Sequence, residues 1–276
     1  MKILFLIAFL LILVSCSSIQ EDIIIDTSSH GAINMIKLYD NEPYVLNSTN
    51  SSIQKIDGDS LVTVSDIDIN GRDFVLDFVL DGEDIYYSNT YDEIFKLKDN
   101  SIVDTFKVFS PDKIAKIGND LIVTSRSNQE GQMLYSINTK SKKISEINIS
   151  SSNSNGSKFG QSSLSVASEK IYVIDNSTKI LAIFDCDLNK LNEIFLPSEN
   201  NYGNMSIVED RPVILTNENG KLAIFTIEVS LQHSKKTTDI DLSSTDIYSS
   251  AIDKNNVYLY DYIRGKIIIK NLENFK

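Results

Sequence analysis

The chain of 276 residues carries 26 basic and 38 acidic side chains, a formal charge of −12, and 42% of its residues are hydrophobic. That apolar content can fill one large core or two small ones, and the charge argues against a nucleic-acid partner, because phosphate binding draws on Lys and Arg. Two cysteines, two histidines and no tryptophan leave little material for a disulfide framework, a zinc cluster or a haem site.

In chain order, Lys2 is followed by an unbroken apolar run from Ile3 to Val14. As a helix it would be about 18 Å long, short of the roughly 30 Å hydrocarbon core, so residues 1–15 read as a secretory signal peptide and not as a membrane span. The segment Leu13-Val14-Ser15-Cys16 resembles the lipobox of bacterial lipoproteins. That resemblance implies that Cys16 receives a diacylglyceryl thioether and becomes the first residue of the mature chain. Its acyl chains, palmitate among them, would hold residues 16–21 to a bilayer as a lipidated tether outside the cytoplasm, at about 0.8 kcal/mol per buried CH₂. The residue needed for this is a thiolate nucleophile at the membrane surface. Ser17 and Ser18 follow where an Asp would retain the protein at the inner membrane, which implies the outer membrane in a double-membrane bacterium. Cys186 is then the only remaining thiol and reads as a half-buried strand cysteine without an intramolecular partner.

The rest of the chain repeats one pattern: a β-branched or aromatic run, a polar turn, and a second alternating run. The copies are Pro43–Asn47 with Ile53–Ile56, Asp84–Asn89 with Glu93–Lys98, Leu121–Ser125 with Met133–Ile137, Lys170–Asp175 with Lys179–Asp185, Arg211–Thr216 with Lys221–Thr226, and Asn256–Asp261 with Lys266–Lys270. Their anchors, Pro43, Ile85, Leu121, Ile171, Val213 and Val257, recur about every 43 residues, the length of a four-stranded propeller blade. An apolar segment precedes each anchor, as in Ile33–Leu38, Phe74–Leu80 and Ile114–Ile117, and another closes the unit, as in Leu61–Ile67 and Ile102–Phe109. The sixth unit stops at Lys276 after its third strand, and Asp22–Asp26 can supply the fourth. The expectation is an all-β, six-bladed β-propeller over residues 22–276, closed by the N-terminal strand pairing with the last blade. Its apolar runs are dense because each sheet is covered on both faces. Phe74–Asp81, with an apparent period of four, is expected as an inner strand, and Ser150–Lys158 as a loop between blades.

This repeat resembles the six-bladed propellers of the NHL, YVTN and low-density-lipoprotein-receptor-like group. Ligands in such rings sit at the channel mouth, so the candidate lining residues are the polar ones of the inner strands: Asn34, Asp77, Lys116, Ser165, Ser206 and Ser250. Asn47, Asn89, Asp175, Asn217 and Asp261 end the second strands, and turn formation accounts for them. His30, in the N-terminal loop, and His233, in the Gln232–Lys236 turn, are expected at the surface and lack a G-x-S-x-G neighbour, so no catalytic residue is assigned. Asp57-Gly-Asp59 and Asp81-Gly-Glu-Asp84 carry calcium-type oxygens, but turns explain both, and neither metal nor cofactor is assigned. The expected function is a membrane-anchored envelope module that binds a protein or a glycan. A metal-assisted hydrolase or lactonase using channel Asp, Glu and Asn is the first alternative. A quinoprotein-like redox relative is the second, disfavoured by the missing tryptophans.

Overall fold

The structure, a computed structural model, describes residues 22–67, 75–125, 132–149, 162–175, 178–196, 201–218, 221–228, 233–241 and 247–275. The signal segment, the lipobox and the tether fall outside the described residues, as do Ser150–Lys158 and Phe74.

After β1 (Ile23–Asp26) the chain lays down blade after blade in sequence order. Blade 1 is β2 (Ile33–Tyr39), β3 (Glu42–Asn47), β4 (Ser52–Asp57) and β5 (Ser60–Asp66). Blade 2 is β6 (Val75–Asp81), β7 (Asp84–Asn89), β8 (Glu93–Lys98) and β9 (Ser101–Lys107). Blade 3 is β10 (Pro111–Ile117), β11 (Asp120–Ser125), β12 (Met133–Asn138) and β13 (Ile144–Asn148). Blade 4 is β14 (Ser162–Ala167), β15 (Lys170–Asp175), β16 (Ile180–Asp185) and β17 (Lys190–Phe195). Blade 5 is β18 (Asn201–Val208), β19 (Arg211–Glu218), β20 (Lys221–Glu228) and β21 (His233–Asp241). Blade 6 is β22 (Ile247–Ile252), β23 (Asn256–Asp261), β24 (Lys266–Asn271) and the N-terminal β1.

Every sheet is antiparallel, and the innermost strands β2, β6, β10, β14, β18 and β22 touch one another in that order and back to β2, so the six blades form a closed ring. Closure uses the first strand as expected: Ile23, Ile24, Ile25 and Asp26 pair with Ile269, Ile268, Ile267 and Lys266. The seam is fastened at both ends. Lys270 Nζ lies 2.6 Å from Asp22 Oδ2, and both the amide and the hydroxyl of Thr27 donate to the Gly265 carbonyl at 2.8 Å. Two sequence expectations shift. In blade 5 the strand after the turn starts at Arg211, so Pro212 and not Val213 holds the anchor register. His233 opens the outer strand β21 instead of lying in a turn, because the Ser234–Thr238 run pairs across to β20.

The core is six separate layers, one between each pair of neighbouring blades. Period-two geometry explains how one strand serves two of them. In β23, Tyr258 and Tyr260 face blade 1 while Val257 and Leu259 face blade 5. In β15, Tyr172 and Ile174 face blade 5 while Ile171 and Val173 face blade 3. Both faces being apolar, alternation vanishes from the sequence and only dense runs such as Val257–Tyr260 remain.

Strand parity also sorts the connections. Each inner strand starts on one face of the ring, where the previous outer strand ends, so first-to-second and third-to-fourth turns lie together on the opposite face. That turn face is built from tight turns in which even Ser168, Glu169, Glu209 and Asp210 adopt positive φ, and it exposes Asp40, Asp59, Glu83, Asp99, Glu169 and Asp210. The other face carries the longer loops. Gly31 belongs to it: its φ is +93°, and a Cβ there would lie 2.4 Å from Thr49 Oγ1, which accepts the Ala32 amide at 2.9 Å.

The seam gives a direct test. Ile25 is 3% exposed and Ile24 55%. Ile25→Ala is expected to cost about 2–4 kcal/mol in urea unfolding, while Ile24→Ala stays within about 0.5 kcal/mol of the parent. Equal costs would mean that β1 does not seal the ring.

Candidate functional site

A cavity of about 310 Å³ occupies the ring's axis, walled by the inner strands of all six blades. Its walls are shaped by bulges. The register slips between Ile33 and Met35, Val75 and Asp77, Pro111 and Ile114, Tyr202 and Met205, and Ile247 and Ser249. A bulge inserts an unpaired residue and changes which side chains face inward after it. Of the residues selected by sequence, Asp77, Lys116, Ser165, Ser206 and Ser250 line the cavity. Asn34 does not; it is the extra residue of the β2 bulge and is half-buried beside it.

The most connected group in the cavity is Asp77, which is fully buried. Its Oδ1 accepts the Phe78 amide at 2.7 Å and meets Lys37 Nζ at 2.5 Å, and its Oδ2 accepts the Ile114 amide of blade 3 at 2.9 Å. Lys37 in turn donates to the Phe78 carbonyl at 3.1 Å and the Ile114 carbonyl at 2.9 Å. One ammonium from blade 1 therefore binds blades 2 and 3 together. All three of its N–H donors have acceptors. Tyr39 OH donates to the same Phe78 carbonyl at 2.5 Å.

Burial holds the Lys37 ammonium below its ordinary value; Asp77 opposes the shift, and the nearby Lys113 adds to it. Burial raises the Tyr39 phenol well above its ordinary value, and the charge of Asp77 pushes it further.

Side chains also cap the next blade's main chain around the ring. Ser163 Oγ accepts the Met205 amide at 2.8 Å, Ser249 Oγ accepts the Ile36 amide at 2.9 Å, and Asp77 plays this part toward Ile114. These three occupy one register, each just before the inner-strand residue paired with the fourth residue of the second strand. They bridge blades 2 to 3, 4 to 5 and 6 to 1. Ser206 Oγ accepts the Ile252 amide at 3.1 Å, and Ser165 Oγ donates to the Met205 carbonyl at 2.8 Å. The inner strands, which have no further strand on the channel side, thus gain bonds through their neighbours' side chains.

Lys37, Lys113, Ser163 and Ser249 were not singled out by the sequence reading. Counting back from each inner strand's turn aligns Asp77 with Ser163 and Ser249, whereas counting forward crosses a bulge in β6 and β22 but not in β14 and so loses the common register.

The other candidates lie elsewhere. Asn47, Asn89, Asp175 and Asp261 accept amides two or three residues on, from Thr49, Tyr91, Thr178 and Arg264, and so cap turns; the Asn217 side chain is outside the described set. His30 is partly buried in the connection to β2, where its Nδ1 meets Ser29 Oγ at 3.1 Å. Asp57-Gly-Asp59 and Asp81-Gly-Glu-Asp84 form turns, with Asp81 held by Lys116 at 3.0 Å and Asp84 by Lys96 at 2.6 Å. Among the described residues no three His, Cys, Asp or Glu side chains gather as a metal ion requires. Cys186 is half-buried after β16, and burial and surrounding carboxylates raise its thiol pKa.

Beyond the channel, the two faces differ in chemistry. Every aromatic side chain more than half exposed among the described residues lies on the loop face: Tyr91, Phe109, Phe195, Tyr248 and Tyr262. Tyr248 and Tyr262 pack with ring centroids 5.9 Å apart beside Ile263, which is 70% exposed. Tyr91 and Phe109 flank an open depression with Asp92 and Lys107.

The chain is similar in fold to several solved propeller structures. It shares 13% identity with a streptogramin B lyase, covering 93% of this chain and 85% of the other at a TM-score of 0.65. With virginiamycin B lyase from Staphylococcus aureus it shares 11%, over 91% and 99% of the two chains, at 0.62. With BamB from Moraxella catarrhalis it shares 9%, over 88% and 86%, at 0.57. No protein-family model matches the chain, and no curated protein does. At such identities the likeness is one of fold.

Two outcomes follow for the channel. Asp77→Ala strands the Lys37 ammonium and two amides, and is expected to cost about 2–4 kcal/mol, with Asp77→Leu combined with Lys37→Met costing less than the sum of the single changes. Additive costs in a double-mutant cycle would refute the coupling. The second concerns alkali. Because the folded pKa of Tyr39 is raised, its contribution is complete below pH 10.0 and is lost as pH rises past it. Lys37 has the opposite sign, its burial cost being relieved as pH climbs toward 10.5. Tyr39→Phe should therefore flatten the loss of urea stability above about pH 10; an unchanged alkaline slope would contradict the assignment.

Proposed function

We propose that the chain is a lipid-anchored envelope protein whose propeller binds a protein partner through its loop face. The observation that carries this reading is the concentration of exposed aromatic side chains on that face, against a turn face rich in carboxylates. Tyr and Phe are the side chains that anchor protein interfaces, and isolated exposed aromatics would otherwise be scattered. The residues are spread over blades 2, 4 and 6, a span suited to a protein surface more than to one sugar ring. A glycan partner is the alternative occupant, and the test separates the two.

The tether supports the same orientation. With Cys16 acylated, residues 16–21 reach at most about 20 Å, and β1, as the outer strand of blade 6, begins on the turn face. The acid-rich turns would then lie toward the bilayer and the aromatic loops away from it. Kinship with the NHL, YVTN and low-density-lipoprotein-receptor-like propellers belongs to this reading and rests on the repeat length; the outer membrane is the proposed site in a double-membrane envelope.

An enzymatic reading has less to stand on. One similar structure is a catalytically inactive histidine-to-alanine variant of virginiamycin B lyase with quinupristin; here His30 is not among the described residues lining the cavity, and His233 belongs to the outer strand β21. The carboxylates that a metal-assisted hydrolase would converge are instead tied to Lys37, Lys116 and Lys96.

The test uses membranes from cells producing the full chain. Cys16→Ala is expected to move the protein from the detergent to the aqueous phase on phase separation. A partner identified by crosslinking to the parent protein should be lost from the combined Tyr248→Ser, Tyr262→Ser and Ile263→Ser variant and kept by Glu169→Gln with Asp210→Asn. Loss with the turn-face variant instead, or a glycan as the crosslinked species, would overturn the reading.

A further inference from the structure

We propose that the central cavity is a binding site for a small anion with a carboxylate or phosphate head, held by the Lys113 ammonium. Three lysines line the cavity: Lys37, Lys113 and Lys116. Two have their charge matched. Lys37 is paired with Asp77 at 2.5 Å, and Lys116 with Asp81 at 3.0 Å while also donating to the Gly118 carbonyl at 2.5 Å. Lys113 is half-buried, and its ammonium meets no acceptor among the described residues.

Its position sharpens the point. Lys113 precedes Ile114, which pairs with Val123, the fourth residue of β11. It thus stands in the register where Asp77, Ser163 and Ser249 offer oxygens to the neighbouring blade's amides. An ammonium has no lone pair to accept an N–H, so Lys113 cannot serve the ring as those three do. It places a second positive charge close to Lys37, a repulsion that the charges of Asp77 and Asp112 on Lys37 oppose and that an entering anion would relieve further. Across the cavity, Ser206 already accepts the Ile252 amide, which leaves its O–H to donate inward. The remaining carboxylate of the lining, Asp40, is exposed at the turn-face rim. Lys113 is thus the one lysine of the lining whose ammonium lacks a paired carboxylate among the described residues, and a fixed charge in a cleft with low-dielectric walls concentrates counter-ions. At about 310 Å³ the space fits a metabolite-sized anion and not a polymer.

This site is independent of partner binding on the loop face, and either can fail alone. The purified full chain is titrated calorimetrically with inorganic phosphate and with succinate, against chloride at matched ionic strength. Saturable one-to-one binding of at least one is expected, the preference naming the head group. Lys113→Met should weaken it at least about tenfold, and Lys140→Met on the turn face should leave it unchanged. Without anion, Lys113→Met should melt at the same temperature as the parent or higher, because a repulsive charge is removed. No saturable binding below about 10 mM, equal affinity in Lys113→Met, or a lower melting temperature for that variant without anion would each overturn the proposal.

Discussion

The structure depends on ring closure. A blade is a sheet with two apolar faces, and it is stable only if both are covered; an open row of blades would leave two such faces to solvent. Here the sixth sheet is completed by residues from the opposite end of the chain, so β1 covers the edge of β24 and Ile25 enters the layer between blades 6 and 1. The strand is four residues long, yet it couples the first described residues of the propeller to its last blade.

Closure creates a second demand at the axis, where the inner strands end their sheets and face a cavity. The chain answers it with oxygens that reach sideways. Asp77, Ser163 and Ser249 each cap an amide of the following blade, and Lys37 spans blades 1 to 3 through one carboxylate and two carbonyls. Such a network is costly if broken, since removing one partner leaves the others buried and unpaired. The channel polarity is therefore first a matter of architecture. What the architecture does not use, the Lys113 ammonium and the loop-face aromatics, is where binding is to be sought.

The repeat made the architecture readable. Turn residues and β-branched runs return at nearly constant spacing, and a sixth unit one strand short, matched by a spare strand at Ile23, implies closure. The channel was less readable, because bulges at the start of the inner strands break the count that assigns side chains to faces. The sequence pattern puts Asn34 on the axis, whereas it belongs to a bulge and Lys37, three residues on, carries the central charge. His233 looks like part of a turn in the sequence because a Ser-Lys-Lys stretch carries no apolar signal, although an outer strand such as β21 needs little of it on its solvent side. The loop-face aromatics were invisible for another reason: Tyr91, Phe195 and Tyr262 are far apart in sequence, and only strand parity brings them to one face.

Amide hydrogen exchange across the seam tests the closed ring most directly. If β1 is an integral strand, the amides of residues 23–26 that bond to β24 exchange as slowly as those of inner strands such as β10 and β14, and all are released together when the domain unfolds. Fast exchange of residues 23–26 while the six inner strands stay protected would show an open ring, and the account of the seam, the channel and the two faces would fall with it.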